Sequence, residues 1–265
     1  MSKHILVFDS GLGGTTVLQE LIKAMPGNRY SYALDNAAFP YGNKANSFLQ
    51  NRIIRLFDEL LARCQPDLAV IACNTASTLI LETLRLHYPL PFVGVVPAIK
   101  PAAAISRSGV IGLLATEATV QRDYIKQLHE AHAAHCEMVR FATQRLVDIA
   151  EQKILGNPIN HKALQEIAEA IQKHPLYDRI DTFILGCTHF PALREELANL
   201  FPPHIHWVDS GEAIARRARQ LCADMPETTE QAPSRLFITR GKERPVLLQA
   251  LKPFGLCQCD VIEID

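Results

Sequence analysis

The sequence lacks an excess of either charge, since its 27 lysine and arginine residues nearly match its 28 aspartate and glutamate residues. This balance gives no electrostatic reason to expect nucleic acid or an anionic membrane as a partner. The sequence also lacks an apolar stretch of about 20 residues, which a membrane-spanning helix needs. The N-terminal MSKHILVFDSG reaches a polar turn too early for a secretory signal, so we expect a cytoplasmic protein.

Closely spaced cysteine pairs of the C-x-x-C kind are absent too. The seven cysteines are an odd number, and they are spread widely along 265 residues. A chain of this length can bury a core without disulfide staples, so we expect reduced thiols. The stretch LHEAHAAHC could place His129, His132 and Cys136 on one helical face, but solvent-facing histidines are commoner there. We therefore predict no metal site.

Short apolar or β-branched runs do occur, and they alternate with amphipathic stretches almost throughout the chain. This alternation is typical of βαβ units, and it predicts an α/β fold with mostly parallel sheets covered by helices on both faces. The predicted strands are His4–Phe8, Tyr30–Leu34, Leu68–Ala72, Phe92–Val96, Gly109–Ala115, Glu137–Phe141, Thr182–Leu185, Ile205–Val208, Leu236–Thr239 and Cys259–Ile264. The amphipathic stretches include Phe48–Arg63, Thr119–Ala134, His161–Lys173 and Gly211–Leu221. A surface loop is predicted over Asp224–Ser234.

Four polar motifs follow predicted strands, where parallel α/β sheets bind their ligands. They are DSGLGG (Asp9–Gly14), CNTAS (Cys73–Ser77), CTHFP (Cys187–Pro191) and DSGEA (Asp209–Ala213). The two cysteine motifs resemble each other, because each follows an apolar run and has an aspartate six positions earlier, Asp67 or Asp181. The pattern indicates two related α/β units, with the proline-containing Val93–Ala102 as the passage between them.

Cys73 and Cys187 each stand where a strand ends and a helix is expected to begin. The free amide hydrogens and the dipole of a helix N-terminus stabilise a thiolate. A buried, inert cysteine is the commoner case, so the position favours chemistry while the base rate favours packing. If both thiols are functional, a zinc site and a redox disulfide fit poorly without a C-x-x-C pair. Proton transfer at one carbon atom from two opposite faces fits better, because it needs two equivalent groups.

The other two motifs each leave two interpretations open. DSGLGG has Thr16 where a dinucleotide fingerprint needs its last glycine, and it lacks the Walker G-K-[ST] sequence. Its glycines fit a tight turn, whereas Asp9 and Ser10 could orient a neighbour or accept an ammonium group. DNAAFPYGNK contains a Pro-Tyr-Gly turn, which is either a plain turn or a loop that closes over a ligand through Tyr41 and Gly42.

Taken together, FDSGLGG, DNAAFPYGNK, ACNTAS and GCTHFP, in this order and spacing, resemble the glutamate racemases, cofactor-independent members of the aspartate/glutamate racemase superfamily. The resemblance covers essentially the whole chain. It implies two pseudo-symmetric α/β domains with the active site in the cleft between them, the second (97–208) being inserted in the first (1–96 plus 209–265). It also implies racemisation of L- and D-glutamate to supply D-glutamate for peptidoglycan, a homodimer, and no cofactor.

The same resemblance assigns roles to individual residues. It implies that Cys73 and Cys187 are the acid and base, and that Asp9 and His189 assist them, one near each thiol. The implied substrate contacts are Asp9, Ser10, Tyr41, Gly42, Asn74, Thr75, Thr119, Thr188 and His189. Glu151 stands where the family has a glutamate near the site.

Two other functions stay open at the level of sequence. One is a sister enzyme of the superfamily, namely an aspartate or hydantoin racemase or a cis–trans isomerase of unsaturated diacids. The other is a non-catalytic protein that binds an amino acid or another anion. The family motifs favour glutamate as the substrate, and the presence of both cysteines argues against a purely binding role.

Overall fold

The computed structural model describes residues 2–225 and 233–264 of the chain. The chain divides into two compact units. The first unit comprises the residues up to 95 together with those from 211 onward, and the second comprises residues 96–210. The surface loop predicted over Asp224–Ser234 lies for most of its length, residues 226–232, outside the described residues.

Ten β-strands form in the described part of the chain, one at each predicted position. They are β1 (His4–Asp9), β2 (Arg29–Leu34), β3 (Leu68–Ile71), β4 (Phe92–Gly94), β5 (Val110–Ala115), β6 (Glu137–Ala142), β7 (Thr182–Leu185), β8 (His206–Val208), β9 (Leu236–Ile238) and β10 (Cys259–Val261). The predicted strands are confirmed, with ends that differ by at most three residues. Every residue of β1, β3, β5 and β7 is buried, as expected of strands that are covered on both faces.

Eleven α-helices lie in the same described residues. They are α1 (Thr15–Ala24), α2 (Asn46–Cys64), α3 (Asn74–His87), α4 (Ile99–Ile105), α5 (Glu117–Val120), α6 (Asp123–His132), α7 (Arg145–Ile154), α8 (His161–Gln172), α9 (Arg194–Leu200), α10 (Gly211–Ala223) and α11 (Arg244–Leu251). Within the described ranges, none of them has both the length and the apolar character that a membrane crossing requires.

One predicted amphipathic stretch, Thr119–Ala134, is divided between α5 and α6. The break falls at Arg122, whose backbone is extended (φ −69°, ψ 134°). Asp123 then opens α6 and places a carboxylate in its first turn, where the helix dipole favours negative charge. The apolar periodicity continues across the break, so it could not indicate where one helix ends and the next begins.

Each unit contains one sheet in which all paired neighbours run parallel. The strand order is β10-β9-β2-β1-β3-β4 in the first unit and β6-β5-β7-β8 in the second. The segment β2-β1-β3-β4 therefore has the same topology as the whole second sheet. In each unit a cysteine follows the third strand of this repeat, which supports the internal repeat that the two cysteine motifs indicate.

The aspartate six positions before each cysteine has the same structural role in both units. Asp67 accepts a hydrogen bond from the backbone N–H of His4, at the start of β1 (2.7 Å). Asp181 accepts from the N–H groups of Arg107 and Ser108, just before β5 (2.7 and 2.8 Å). Burial raises the pKa of Asp181, but its backbone and side-chain hydrogen bonds outweigh that effect and lower the pKa to about 2. Each carboxylate thus fastens the entry of a central strand, at the opposite end of the sheet from the cysteine.

Each unit has its own core of side chains packed between sheet and helices. In the first unit, Phe8 and Phe57 pack edge to face with their ring centroids 5.2 Å apart. In the second, Phe183 stacks on Trp207, the single tryptophan of the chain, at 5.1 Å. Full burial of one such side chain contributes roughly 1.5–3 kcal/mol. The cores therefore hold the strand ends, and the polar residues that follow them, in defined places.

Candidate active site

In the first unit, Asp9 and Cys73 lie at the same edge of the sheet. Asp9 is the last residue of β1, and Cys73 follows the neighbouring β3 by two residues. Cys73 is the N-cap of α3, with an extended backbone (φ −102°, ψ 120°), and its carbonyl accepts a hydrogen bond from the N–H of Ser77 (2.8 Å). Cys73 as a whole residue is 6% exposed. It therefore lies at a helix N-terminus, where free amide hydrogens and the dipole stabilise a thiolate.

Ser10 links the Cys73 thiol to the Asp9 carboxylate. Its Oγ lies 3.8 Å from the sulfur of Cys73 and donates a hydrogen bond to Oδ1 of Asp9 (3.2 Å). The same Asp9 oxygen accepts from the backbone N–H groups of Ser10 and Gly11. Asp9 is almost fully buried, at 1% exposure. The carboxylate is thus held by the turn that follows β1 and reaches the thiol through a hydroxyl group.

Gly14 allows the start of α1 to approach this carboxylate. A Cβ atom at position 14 would lie 2.9 Å from Oδ2 of Asp9 and 2.7 Å from the hydroxyl of Tyr32. Both distances are shorter than side-chain carbons tolerate. The interpretation of this glycine as part of a tight turn is therefore correct, and the turn is packed directly on Asp9.

Tyr41 is buried and its hydroxyl is engaged inside the protein. It donates to Oδ2 of Asp35 (2.7 Å). Both oxygens of the same carboxylate accept from the guanidinium of Arg52 (2.7 Å each), and Oδ1 also accepts from the hydroxyl of Thr239 (2.6 Å). Burial and the neighbouring Asp35 carboxylate hold the pKa of Tyr41 well above its ordinary value. A contact of Tyr41 with a ligand would therefore be made by its ring or backbone.

Three further residues that the resemblance implied as contacts lie in the first unit. Gly42 is half-buried in the 3₁₀ turn Tyr41–Asn43, which packs against α3. Asn74 and Thr75 are buried in the first turn of α3. Oδ1 of Asn74 is buried and has no hydrogen-bond partner among the described residues. An unpaired buried acceptor costs free energy, so this oxygen is suited to receive a donor from a bound molecule.

In the second unit, Cys187 follows β7 by two residues and is 8% exposed. The helix that we expected directly after it does not begin there, which corrects that prediction. A 3₁₀ turn, Phe190–Leu193, comes first, and α9 starts only at Arg194. Pro191 lies at the start of this turn, where its missing N–H and fixed φ are tolerated. The helix-dipole argument therefore applies to Cys73 and not to Cys187.

His189 takes the place of a helix N-terminus beside Cys187. Its Nδ1 lies 3.8 Å from the sulfur, and its Nε2 lies 2.6 Å from Oε2 of Glu151, on α7. A carboxylate only accepts hydrogen bonds, so Nε2 carries a proton. Burial lowers the pKa of His189, but the hydrogen bonds and negative charges of Cys187 and Glu151 outweigh it and raise the pKa well above the ordinary value. The group that results is a thiol, an imidazole and a carboxylate in one row.

Thr119 and Thr188 are the remaining implied contacts in the second unit, and both are buried. Thr188 stands between Cys187 and His189. Thr119 lies on α5, and its hydroxyl is 3.0 Å from that of Thr116, the residue directly after β5. Because β5 and β7 are neighbours, these hydroxyl groups lie at the same edge of the sheet as Cys187. Thr116 occupies the position after the first strand that Ser10 occupies in the first unit.

Metal binding is not indicated by the side chains that the structure describes. Among them, no three His, Cys, Asp or Glu residues form a group that could hold an ion. In the stretch LHEAHAAHC, Nε2 of His129 lies 2.8 Å from the carbonyl oxygen of Cys136. All seven cysteines are free thiols.

The sequence did not indicate the partners that support these side chains. Arg52 and Thr239 reach Asp35 across 17 and 204 residues of the chain. Lys153 reaches the turn after His189 across 39 residues. Contacts over such separations leave no local pattern in a single sequence. Paired changes at the two contacting positions among related sequences would be the signal that reveals them.

Comparison with known proteins finds racemases both as the matching family and as similar sequences. The sequence model of the Asp/Glu/Hydantoin racemase family matches residues 5–218. The glutamate racemase of Pectobacterium carotovorum is 47% identical over 221 residues, which is 83% of this chain and 77% of that protein. The glutamate racemase of Sodalis glossinidius is 41% identical over 260 residues, 95% of this chain and 88% of that one.

One solved structure is similar to this protein over the full length of both chains. The crystal structure of Escherichia coli glutamate racemase in complex with L-glutamate and the activator UDP-MurNAc-ala has a TM-score of 0.94 at 38% identity, with all of both chains covered. The chain therefore belongs to the Asp/Glu/Hydantoin racemase family, and the relatives described above are glutamate racemases.

Proposed function

We propose that this protein interconverts L-glutamate and D-glutamate without a cofactor, with Cys73 and Cys187 as the two proton-transferring groups. One observation carries the proposal. In each unit a buried thiol at the C-terminal edge of a parallel sheet is backed by a carboxylate, through Ser10 to Asp9 and through His189 to Glu151. The chain belongs to a family whose Escherichia coli glutamate racemase has been crystallised with L-glutamate.

The reaction needs one base and one acid at the α-carbon of the substrate. The thiolate of one cysteine removes the α-proton and becomes a thiol, while the thiol of the other delivers its proton to the opposite face and becomes a thiolate. For the other enantiomer the roles exchange. After each turnover the two sulfurs hold the reverse protonation states, and exchange with water resets them.

The two supporting groups act differently on their thiols. Protonated His189 donates from Nδ1 to the sulfur of Cys187 and so stabilises its thiolate, while Glu151 keeps the imidazole charged. Ser10 donates its only proton to Asp9, so its oxygen accepts from the Cys73 thiol. The α-proton of an amino acid is far less acidic than a thiol, so the carbanionic transition state must also be stabilised by desolvation and aimed hydrogen bonds.

The remaining polar groups would hold the substrate. The two carboxylates of glutamate suit hydroxyl and backbone N–H donors, which Thr75, Thr119, Thr188 and the start of α3 supply. The unpartnered Oδ1 of Asn74 needs a donor, and the α-ammonium is the one strong donor of glutamate. Tyr41 would contribute its ring and Gly42 its amide.

The proposal extends to the setting of the enzyme. D-Glutamate made here would supply peptidoglycan synthesis. We also propose a homodimer, by the family resemblance, which light scattering after gel filtration would test. The seven free thiols suit the reducing cytoplasm, where fractionation should find the protein.

Racemisation in heavy water tests the mechanism. Solvent deuterium should enter the α-carbon of the product from either enantiomer, without added cofactor. Cys73→Ala and Cys187→Ala should each lower kcat by at least ~100-fold, because each removes an acid–base group. Cys257→Ala, which changes an exposed thiol, is the control and should keep wild-type turnover. If either of the first two variants racemises glutamate at close to the wild-type rate, the two-base mechanism is wrong.

Assays of aspartate and a hydantoin beside glutamate separate the sister enzymes. Faster turnover of either compound would replace glutamate as the substrate while keeping the mechanism. Calorimetry that detects glutamate binding without isotope exchange would favour the non-catalytic alternative.

A further inference from the structure

Resting on the function proposed above, we infer that Lys153 is a positioning residue for the Cys187 half of the reaction. It fastens helix α7 to the turn that follows His189, and in this way it holds Glu151 in register with the imidazole. Lys153 itself contacts none of the reacting groups.

Lys153 contacts the 3₁₀ turn Phe190–Leu193 and the first turn of helix α9, which follows it. Its ammonium group donates to the carbonyl of Ala192 (2.7 Å) and to both carboxylate oxygens of Glu196 (2.7 and 2.9 Å). Two residues earlier on α7, Glu151 meets His189. Helix α7 therefore has two polar attachments to one short segment, residues 189–196, and the catalytic contact is one of them.

Apolar packing alone does not fix this register. Phe190 and Leu193 are fully buried and keep the turn on the protein, but hydrophobic burial is non-directional. A hydrogen bond of 2.6 Å, by contrast, weakens steeply with small changes in distance and angle. The ammonium group of lysine has three donors, and three acceptor oxygens lie within 2.9 Å of it. Lys153 supplies the directional attachment that the packing lacks.

Burial separates this ion pair from an ordinary surface pair. The side chains of Lys153 and Glu196 are 32% and 16% exposed. The Arg145–Glu166 pair, formed by the same helix at its other end, is 58% and 46% exposed. Exposed ion pairs contribute little to stability. Removal of Lys153 from the more buried pair should leave the Glu196 carboxylate and the Ala192 carbonyl without this donor and let residues 189–196 shift. Arg145→Met is therefore the matched control for Lys153→Met.

The kinetic test uses glutamate deuterated at the α-carbon. The two enantiomers are equally stable, so any loss of kcat/KM must be by the same factor for both. We expect a loss of about 10-fold for Lys153→Met, because a misplacement of ~1 Å in a catalytic site can cost ~100-fold in rate. The isotope effects should become unequal. The effect on kcat/KM should rise for the enantiomer that Cys187 deprotonates and fall for the other, since only one of the two proton transfers is slowed. Glu151→Gln should change the pair of isotope effects in the same direction.

Two controls complete this experiment. Lys153→Arg keeps a cationic donor and should restore most of the activity and the wild-type isotope effects. Arg145→Met should leave them unchanged even if it lowers the unfolding midpoint. If Lys153→Met loses stability but keeps wild-type isotope effects, the residue only stabilises the fold and the inference is wrong.

A second measurement does not depend on racemisation. NMR of ¹⁵N-labelled histidine follows the protonation of His189 with pH, and Lys153→Met should lower its titration midpoint as Glu151→Gln does. An unchanged midpoint in Lys153→Met overturns the inference whatever the activity. Absence of racemisation in the wild-type protein, with the midpoint shift present, would instead overturn the proposed function alone.

Discussion

At the scale of single residues, the two thiols have chemically different neighbours. The hydroxyl of Ser10 is neutral and accepts from Cys73, whereas the imidazole of His189 can carry a charge and donate to Cys187. The Cys187 half of the site therefore has a titratable group beside its thiol, the imidazole of His189. The pH dependence of this half of the site should follow His189 and its partner Glu151.

Stability should vary with pH through His189, whose pKa is raised in part by the charge of Glu151. The pKa of His189 is raised in the folded protein above its ordinary value of 6.5, so folding binds this proton more tightly. That stabilisation is complete below pH 6.5 and is lost as the pH rises towards the folded pKa, by at most ~1.4 kcal/mol per pH unit. Cys187 and Glu151 both raise this pKa, and Glu151→Gln removes the charge of one of them, so the free energy of unfolding should fall less between pH 6 and pH 8 than in the wild type.

Urea unfolding at several pH values, followed by the fluorescence of Trp207, measures this difference within the second unit. Other histidines titrate over the same range, so the comparison between the two proteins is the informative quantity. Glu166→Gln, which changes an exposed carboxylate of the same unit, should follow the wild-type slope. Identical slopes for Glu151→Gln and the wild type would contradict the raised pKa.

At the scale of elements, the contact between β5 and β7 depends on a missing side chain. A Cβ atom at Gly186, the residue between β7 and Cys187, would lie 2.9 Å from the carbonyl oxygen of Leu114 and 2.7 Å from a methyl group of Leu113. The backbone oxygen cannot turn away as a side chain can. Gly186→Ala should therefore push the strands apart, lower the free energy of unfolding by about 1–3 kcal/mol, and displace Cys187.

Thermal unfolding followed by circular dichroism, together with kcat, would measure both effects. The control is Gly27→Ala, where no heavy atom lies within 4 Å of the added carbon, and it should be neutral or slightly stabilising. A Gly186→Ala protein as stable and as active as the wild type would show that the strands adapt, and that Cys187 needs no such close contact.

The elements also show what the sequence could and could not predict. All ten strands were predictable because buried parallel strands form short continuous apolar runs bounded by polar turns. The division between α5 and α6 was not, since Arg122 leaves helical geometry without a glycine or proline to mark it. The missing helix after Cys187 was signalled by Pro191, but a proline at that position also fits a helix start.

The site follows the same division. Asp9, Ser10, Cys73 and Cys187 could be proposed because each stands at or just after the end of a strand, and the family resemblance added His189. The supporting contacts could not be identified in this way. Whether Glu151 meets His189 depends on how α7 packs against the turn that follows β7, and periodicity carries no information on that choice.

At the scale of the whole molecule, two units of one topology build similar sites from different residues. The shared features are structural: the strand order, the aspartate that fastens the central strand, and a cysteine after the third strand. The differing features are the supporting groups, a helix N-terminus and a hydroxyl in one unit and an imidazole in the other. A repeated scaffold thus supplies two thiols, while the groups that support each thiol differ between the two units.

Ligand binding should stabilise the whole molecule in a way that identifies the substrate. A ligand that binds only the folded protein raises the free energy of unfolding by RT ln(1 + [L]/Kd), ~2.7 kcal/mol at 100 times Kd. Active enzyme would mix the enantiomers, so the protein to use is Cys73→Ala combined with Cys187→Ala. We expect L-glutamate and D-glutamate each to raise its thermal midpoint, because a racemase must bind both, and aspartate to raise it less, since it is one methylene shorter. Asn74→Ala in this background should reduce both shifts, whereas Cys257→Ala should not. A shift with one enantiomer of glutamate only, or a larger shift with aspartate, would contradict the proposed substrate.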